Sequence, residues 1–199
     1  MAILHPATIT PAKLDLLAAW LPYRGLERVG ACRLDDPAGE VGIELIVVRS
    51  SDGVLVHAPL TYRAAPLDAA SAFLIGTTEH SVLGTRWVYD AVGDPVFVAE
   101  VTRVIRTGGH EAREFLETPA GPKERRPLMT LRGSGTQPDS RTAASLLRVD
   151  GGDPAAVLTD VGELSVRRVI TEATPTGAGL TLTASWDGLP SPVVLAVLS

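Results

Sequence analysis

Two ten-residue runs rich in β-branched and aliphatic residues, 40–49 (EVGIELIVVR) and 54–63 (VLVHAPLTYR), flank the tetrapeptide Ser50-Ser51-Asp52-Gly53. A short Asp-Gly turn between two such runs is a strong local signal for a β-hairpin. Strand side chains alternate between faces, so Val41, Ile43, Leu45 and Val47 fall on one side of the first run. Pro59 interrupts the return run and points to an edge position or a bulge, because proline has no N–H for a ladder. This hairpin commits the N-terminal half to an antiparallel sheet.

Helical spacing appears on either side of it. Leu14, Leu17, Ala18 and Leu21 recur at a helical period after Thr10-Pro11, with Pro22 ending the pattern. Threonine is a good N-cap and proline is tolerated at the first helical position, so the spacing predicts a helix over 11–21. Asp94-Pro95 repeats the same opening, and Phe97, Val101, Val104 and Ile105 follow at i, i+4, i+7 and i+8. A second helix is predicted over 95–106, ended by Gly108-Gly109. Residues 27–35 and 72–79 read as strands, and 85–90 (TRWVYD) as a further short one.

Residues 108–142 carry Gly, Pro, Ser, Arg and Glu with little periodicity. They read as a short helical piece near 110–117 followed by a loop or linker. Five strand-like segments follow, broken by GG, DVG, PTGAG and DGLPSP, which makes the second half β-rich. The expected organisation is an α+β unit over 1–107, a linker over 108–142 and a β-rich segment over 143–199, packed on the same sheet or separate from it.

Composition removes several functions. A net charge of -5 argues against nucleic acid as the main partner, since phosphate binding needs clustered cations. No apolar run reaches the roughly 20 residues that span a bilayer. The first residues, MAILHPATITPAK, lack the basic and apolar regions of a signal peptide, so a cytoplasmic location is expected. Cys32, the one cysteine, reads as a buried, inert thiol. His5, His57, His80 and His110 show no metal-ligand spacing, and no cofactor or metal is expected. The phosphate-binding loop pattern is absent; the nearest string, Gly133-Ser134-Gly135, lacks a third glycine and follows no strand–helix unit. Neither lysine, Lys13 or Lys123, sits on a strand where it could hold ATP phosphates.

The densest group of functional side chains lies in 76–94, GTTEHSVLGTRWVYDAVGD, with Glu79, His80, Arg86, Trp87, Tyr89, Asp90 and Asp94 beside turns. Aromatic platforms with carboxylates and a guanidinium suit a carbohydrate or a partner surface. The same groups also suit a tight loop that ties itself down, with Arg86, Asp90 and Asp94 pairing and Trp87 and Tyr89 entering the core. In that arrangement Trp87 packs against the first helix near Leu17 or Trp20. His80-Ser81 with Asp90 or Asp94 is the one cluster that hints at nucleophilic catalysis, but adjacent strand side chains point apart.

The segments HAPLTYRAAPL (57–67) and GTTEHSVLGTRWVYDAVGDPVFVAEV (76–101) resemble the N-terminal cap of actinobacterial maltokinases and related sugar kinases. The resemblance covers residues 1–106. It implies a curved antiparallel sheet with two flanking helices, a structural or regulatory role, and no catalytic residue within the cap. The family's kinase site lies in a C-terminal lobe that this sequence does not contain. The resulting reading is a stand-alone, non-catalytic α+β protein that acts as an interaction or regulatory module in trehalose, maltose or glycogen metabolism. Its partner would be a sugar-metabolic enzyme or a second copy of itself. A small carbohydrate is the alternative ligand, and an enzyme with a site near His80 and Asp90 a further alternative. The candidate binding residues are Tyr62, Arg63, Glu79, His80, Arg86, Trp87, Asp90 and Asp94.

Overall fold

A computed structural model describes residues 1–138, 143–171 and 179–199. In chain order its elements are β1 (Ala2–Leu4), β2 (Ile9–Thr10), α1 (Lys13–Trp20), β3 (Glu27–Leu34), β4 (Gly42–Arg49), β5 (Leu55–Arg63), β6 (Leu74–His80), β7 (Gly84–Asp90), α2 (Pro95–Thr107), β8 (Glu114–Leu116), β9 (Lys123–Arg125), β10 (Met129–Gly133), β11 (Leu146–Asp150), β12 (Ala155–Thr159), β13 (Gly162–Val166), β14 (Val169–Ile170), β15 (Leu180–Trp186) and β16 (Val193–Leu198). Two short 3-10 pieces kinked at Ala70, over Asp68–Phe73, precede β6, and a single 3-10 turn, Ala91–Gly93, precedes α2. The protein is α+β, and strands dominate.

The strands of the described residues form three sheets. A curled antiparallel sheet runs β2-β6-β7-β5-β4-β3, with β14 also pairing with β5. A second sheet runs β10-β15-β16-β13-β12-β11, and a small one runs β1-β8-β9. The first sheet is covered on both faces. Ile43, Leu45 and Val47 of β4 join Phe97, Val98, Val101, Val104 and Ile105 of α2 and the inner residues of the second sheet in one core. Ile46 and Val48, on the opposite face of β4, pack with Leu16 and Leu17 of α1 in a second core. Burial on both sides explains why 43–48 reads as a continuous apolar run broken by one charge, Glu44. The main core draws on residues from Cys32 to Leu198, on both sides of the 108–142 stretch.

The expected elements shift in three places. Helix α1 starts at Lys13, not at 11, because Thr10 pairs with Glu79 at the sheet edge and the Pro11 carbonyl accepts from Thr78 Oγ1 at 2.9 Å. Pro59 is neither on an edge strand nor at a bulge. It pairs with Leu45 inside a regular ladder between β4 and β5. The His57 N–H donates to the Arg168 carbonyl at 2.7 Å, so two residues later the Pro59 nitrogen faces the same side. There it meets the gap between β14, whose partner is Val56, and β7, whose first partner is Leu60, so no ladder bond is lost. The helical piece expected near 110–117 is instead β8, which pairs in parallel with β1 and in antiparallel fashion with β9.

Helix α2 ends as the sequence indicates, with Gly108 in the left-handed region at φ 69. The Gly133-Ser134-Gly135 string has a structural cause in its close approach to the end of α2. The Gly135 N–H donates to the Ile105 carbonyl at 2.8 Å and the Gln137 N–H to the Arg106 carbonyl at 3.0 Å, satisfying orphan carbonyls of the last turn. A Cβ at Gly133 would stand 1.9 Å from the Val104 oxygen, and one at Gly135 2.1 Å from the Arg106 oxygen. Residues 139–142 of the expected linker and 175–178 of the PTGAG break lie outside the described residues.

Candidate functional site

The hairpin β6–β7 carries most of the candidate residues. Its turn is set by His80, whose Nδ1 accepts from the backbone N–H of Val82 at 3.2 Å and of Leu83 at 3.1 Å. Gly84 supplies the positive φ that closes the turn. Accepting at Nδ1 requires a neutral ring, and partial burial, the nearby His5, and Arg86 all lower the imidazole's pKa. Glu79 accepts from Thr85 Oγ1 at 2.8 Å across the hairpin. The turn is also stitched to the preceding chain: the Ser81 N–H donates to the Thr8 carbonyl, and His5 stands edge-on to His80 with centroids 6.1 Å apart. Val82 and Leu83 are left at the tip, 55% and 44% exposed.

The remaining candidates separate to the two faces of the sheet. On the α1 face, Tyr62 donates its hydroxyl to Glu44 Oε2 at 2.9 Å, and Lys13 Nζ reaches the same oxygen at 2.6 Å with Arg33 at 3.6 Å. Burial alone would raise the Glu44 carboxyl, but Arg33, Lys13 and the two hydrogen bonds hold it at about 2. Burial beside that carboxylate pushes the Tyr62 phenol well up. Asp90 lies on this face too, held by Arg168 Nη2 at 2.7 and 2.6 Å, and Arg168 stacks over the Trp20 ring at 5.7 Å. Burial raises the Asp90 carboxyl above its ordinary value despite that guanidinium.

On the α2 face, Arg63 Nε and Nη2 each donate to Asp94 at 2.7 Å. The same buried carboxylate caps α2, accepting from the Val96 N–H at 3.0 Å. Trp87 pairs with Arg63 and Thr77 on this face and is half-buried. It does not pack on α1; its neighbour Val88 does so, beside Leu17. Tyr89 enters the core, and its hydroxyl accepts from the Leu67 N–H at 2.7 Å. The Arg86 side chain makes no hydrogen bond or ion pair among the described residues, so the expected Arg86–Asp90 pair is replaced by Arg168–Asp90.

The eight candidates therefore form no single pocket. Tyr62, Arg63, Glu79, His80, Asp90 and Asp94 hold the fold together, and Arg86 and Trp87 present polar and aromatic surface on opposite faces of β7. Reading the sequence alone missed Glu44, Arg33 and Arg168. Glu44 left one signal, a lone charge in the α1-facing phase of an apolar strand, while Arg168, 78 residues from Asp90, left none. Among the described residues no three His, Cys, Asp or Glu side chains gather as a metal site. Cys32 is fully buried, and burial pushes its thiol well up. Among the described residues no helix is long and apolar enough to cross a membrane.

A curled sheet clasped between two helices, with its buried carboxylates Glu44, Asp90 and Asp94 each held by a basic side chain, defines a small α+β module that carries the β6–β7 hairpin. Residues 19–94 match the family model of the maltokinase N-terminal cap domain, so this part of the chain is a maltokinase-cap-like domain. The match opens near the end of α1 and closes on Asp94, taking in both hairpins, β4–β5 and β6–β7. No curated protein matches the chain.

Proposed function

We propose that the protein is a non-catalytic interaction or regulatory module that docks through the β6–β7 tip on a sugar-metabolic enzyme of the cytoplasm, in trehalose, maltose or glycogen metabolism. The observation that carries this reading is the tip itself. Two aliphatic side chains, Val82 and Leu83, stand exposed on a turn that His80, Gly84 and the 5–10 segment hold in one shape. A preorganised apolar tip loses little entropy on binding, which is what a docking element needs. The catalytic alternative near His80 and Asp90 has less support, because His80 uses Nδ1 on the turn and Asp90 is engaged by Arg168.

The test is titration of the protein with the catalytic lobe of a maltokinase. Saturable binding that Val82→Asp/Leu83→Asp abolishes, with an unchanged thermal melt, is expected. Absence of binding, or binding that the double variant keeps, overturns the reading. ATP, magnesium and maltose with the protein alone should give no turnover.

A second reading, as a carbohydrate-binding protein, has one observation in its favour. A cleft of about 310 Å³ opens between the end of β3 and the 109–115 segment, lined by Asp35, Arg103, His110, Glu111 and Phe115 among others. Its size is at the small end of ligand sites. Saturable shifts of these residues' amide signals on adding maltose or trehalose would favour it.

A further inference from the structure

The second sheet ends at β11, and among the described residues no strand pairs with that strand's outer edge. An open edge offers unpaired N–H and C=O groups to another chain, and natural proteins guard such edges with bulges and charges. β11 carries a bulge at Leu147 and two charged residues, Arg148 and Asp150. The guard has a peculiarity. Its charges are of opposite sign and flank Val149, and they now pair with each other at 3.0 Å along the exposed strand. Like charges would repel a second copy; this pattern matches one.

We propose that two copies of this chain associate through β11, antiparallel, about a two-fold axis at Val149. In that register Arg148 lies opposite Asp150 of the second copy, and Asp150 opposite its Arg148. The two internal ion pairs are exchanged for two between chains. Directly opposed side chains share a face in an antiparallel pair, so all four charges stay on the outer face. Val149 packs on the main core in each chain and meets its own symmetry mate on the inner face. Leu147, 61% exposed, comes opposite Gly151, where a Cβ would meet nothing within 4 Å. A bare glycine there leaves room for the leucine. Leu158, 40% exposed, lies opposite Arg148 on β12 and so flanks the charges on the outer face. The contact is isologous, as a closed two-fold dimer requires, and it consumes the open edge of both sheets.

The test is the oligomeric state of the full 199-residue chain by sedimentation. The wild type is expected to reach twice the 20.9 kDa of one chain as concentration rises. Arg148→Asp places two carboxylates opposite two, and Asp150→Arg places two guanidiniums opposite two. Each alone should weaken the dimer at least about tenfold, because opposed like charges destabilise a cross-strand pair. Mixing the two variants should restore a dimer, now mixed, since every pair is again of opposite sign. The double swap Arg148→Asp/Asp150→Arg should dimerise like the wild type and keeps the test alive if a single variant folds poorly, as circular dichroism would reveal. A monomeric wild type overturns the proposal. So do single variants that dimerise unchanged, or variants that stay apart on mixing. None of these outcomes involves the β6–β7 tip, so failure here leaves the docking reading to its own test.

Discussion

Arg63 and Asp94 meet in a two-pronged pair, Nε to Oδ2 and Nη2 to Oδ1, both at 2.7 Å, and the carboxylate is fully buried. Asp94 also caps α2 through the Val96 N–H. One side chain thus joins the end of β5 to the helix at the centre of the main core. Asp94→Ala would leave Arg63 with no partner in a mostly buried site and strip the cap. Breaking a buried pair from one side costs about 3–5 kcal/mol, and the lost cap adds about 1 kcal/mol. Asp94→Asn keeps an acceptor for Val96 and should cost visibly less. Urea unfolding of both variants checks the order; equal stabilities would mean the cap contributes nothing.

Acid should destabilise the protein in two windows with different owners. Burial first, and then Arg168, holds the His57 imidazole at about 3, against an ordinary 6.5, although Nδ1 meets the Arg167 carbonyl at 3.0 Å. The unfolded chain therefore binds more protons between those values, and stability falls as pH drops from about 6.5 toward 3. Glu44 has a folded pKa of about 2 against 4.5, so its contribution is complete above 4.5 and is lost below it. Lys13 opposes this gain, since burial lowers its ammonium despite Glu44. Unfolding free energies at pH 7, 5.5 and 4 should show His57→Asn flattening the upper window, while Glu44→Gln leaves it intact and flattens the profile below 4.5.

The elements that sequence periodicity reveals here are those with one local cause. Helix α2 is legible because a cap, a proline, an apolar stripe and a closing glycine agree. The β4–β5 hairpin is legible because alternation and turn chemistry agree. β8 is not legible because three residues carry too little pattern, and its pairing with β1 lies more than a hundred positions away. Trp87 lies one step of alternation from the α1-facing phase that Val88 occupies, and one step moves a side chain across the sheet. The dense patch of functional side chains in 76–94 is legible, but density does not reveal partners. Asp94 finds Arg63, and Asp90 finds Arg168, across distances that no local spacing encodes.

Gly135→Ala should be far more damaging than an ordinary glycine replacement. The new Cβ would stand 2.1 Å from the Arg106 oxygen, and that oxygen is backbone of a packed helix. Neither side can move without breaking the bonds that the Gly135 and Gln137 N–H groups make to the last turn of α2. Overpacking a rigid site costs about 1–3 kcal/mol and sometimes more; the upper end or beyond is expected. Hydrogen exchange would report the damage as faster exchange in 104–108 before global unfolding. Unchanged protection there would mean that the segment is free to shift away.

Trp87, being half-buried, should tolerate truncation better than a core aromatic. Full burial would put the cost of Trp87→Ala at about 3–5 kcal/mol. A side chain that keeps part of its surface in water loses only part of its transfer free energy, so about 1–2 kcal/mol is expected. Iodide should quench its fluorescence in a Trp20→Phe background, since Trp186 is 7% exposed and hidden from the quencher. An unquenched signal would place Trp87 in the interior.

Arg168→Ala should destabilise the protein, and Arg86→Ala should not. Arg168 clamps Asp90 with contacts of 2.7 and 2.6 Å, both side chains being nearly nine-tenths buried, and covers Trp20 at the end of α1. Removing it strands a carboxylate that burial already pushes toward protonation. A loss of about 3 kcal/mol is expected, as for other one-sided breaks of buried pairs. Arg86 has no such partner, and surface replacements of that kind stay within about 0.5 kcal/mol. The pair itself holds a desolvated charge on each side, and Arg168 Nη1 is buried without a hydrogen-bond partner. Replacing both members, as Asp90→Asn/Arg168→Met, should therefore cost less than Arg168→Ala alone, since apolar or neutral substitutes for a buried pair are often tolerated. A double-mutant cycle by urea unfolding measures this directly. A double variant at least as unstable as the sum of the singles would mean that Asp90 and Arg168 contribute independently and that the clamp is not one unit.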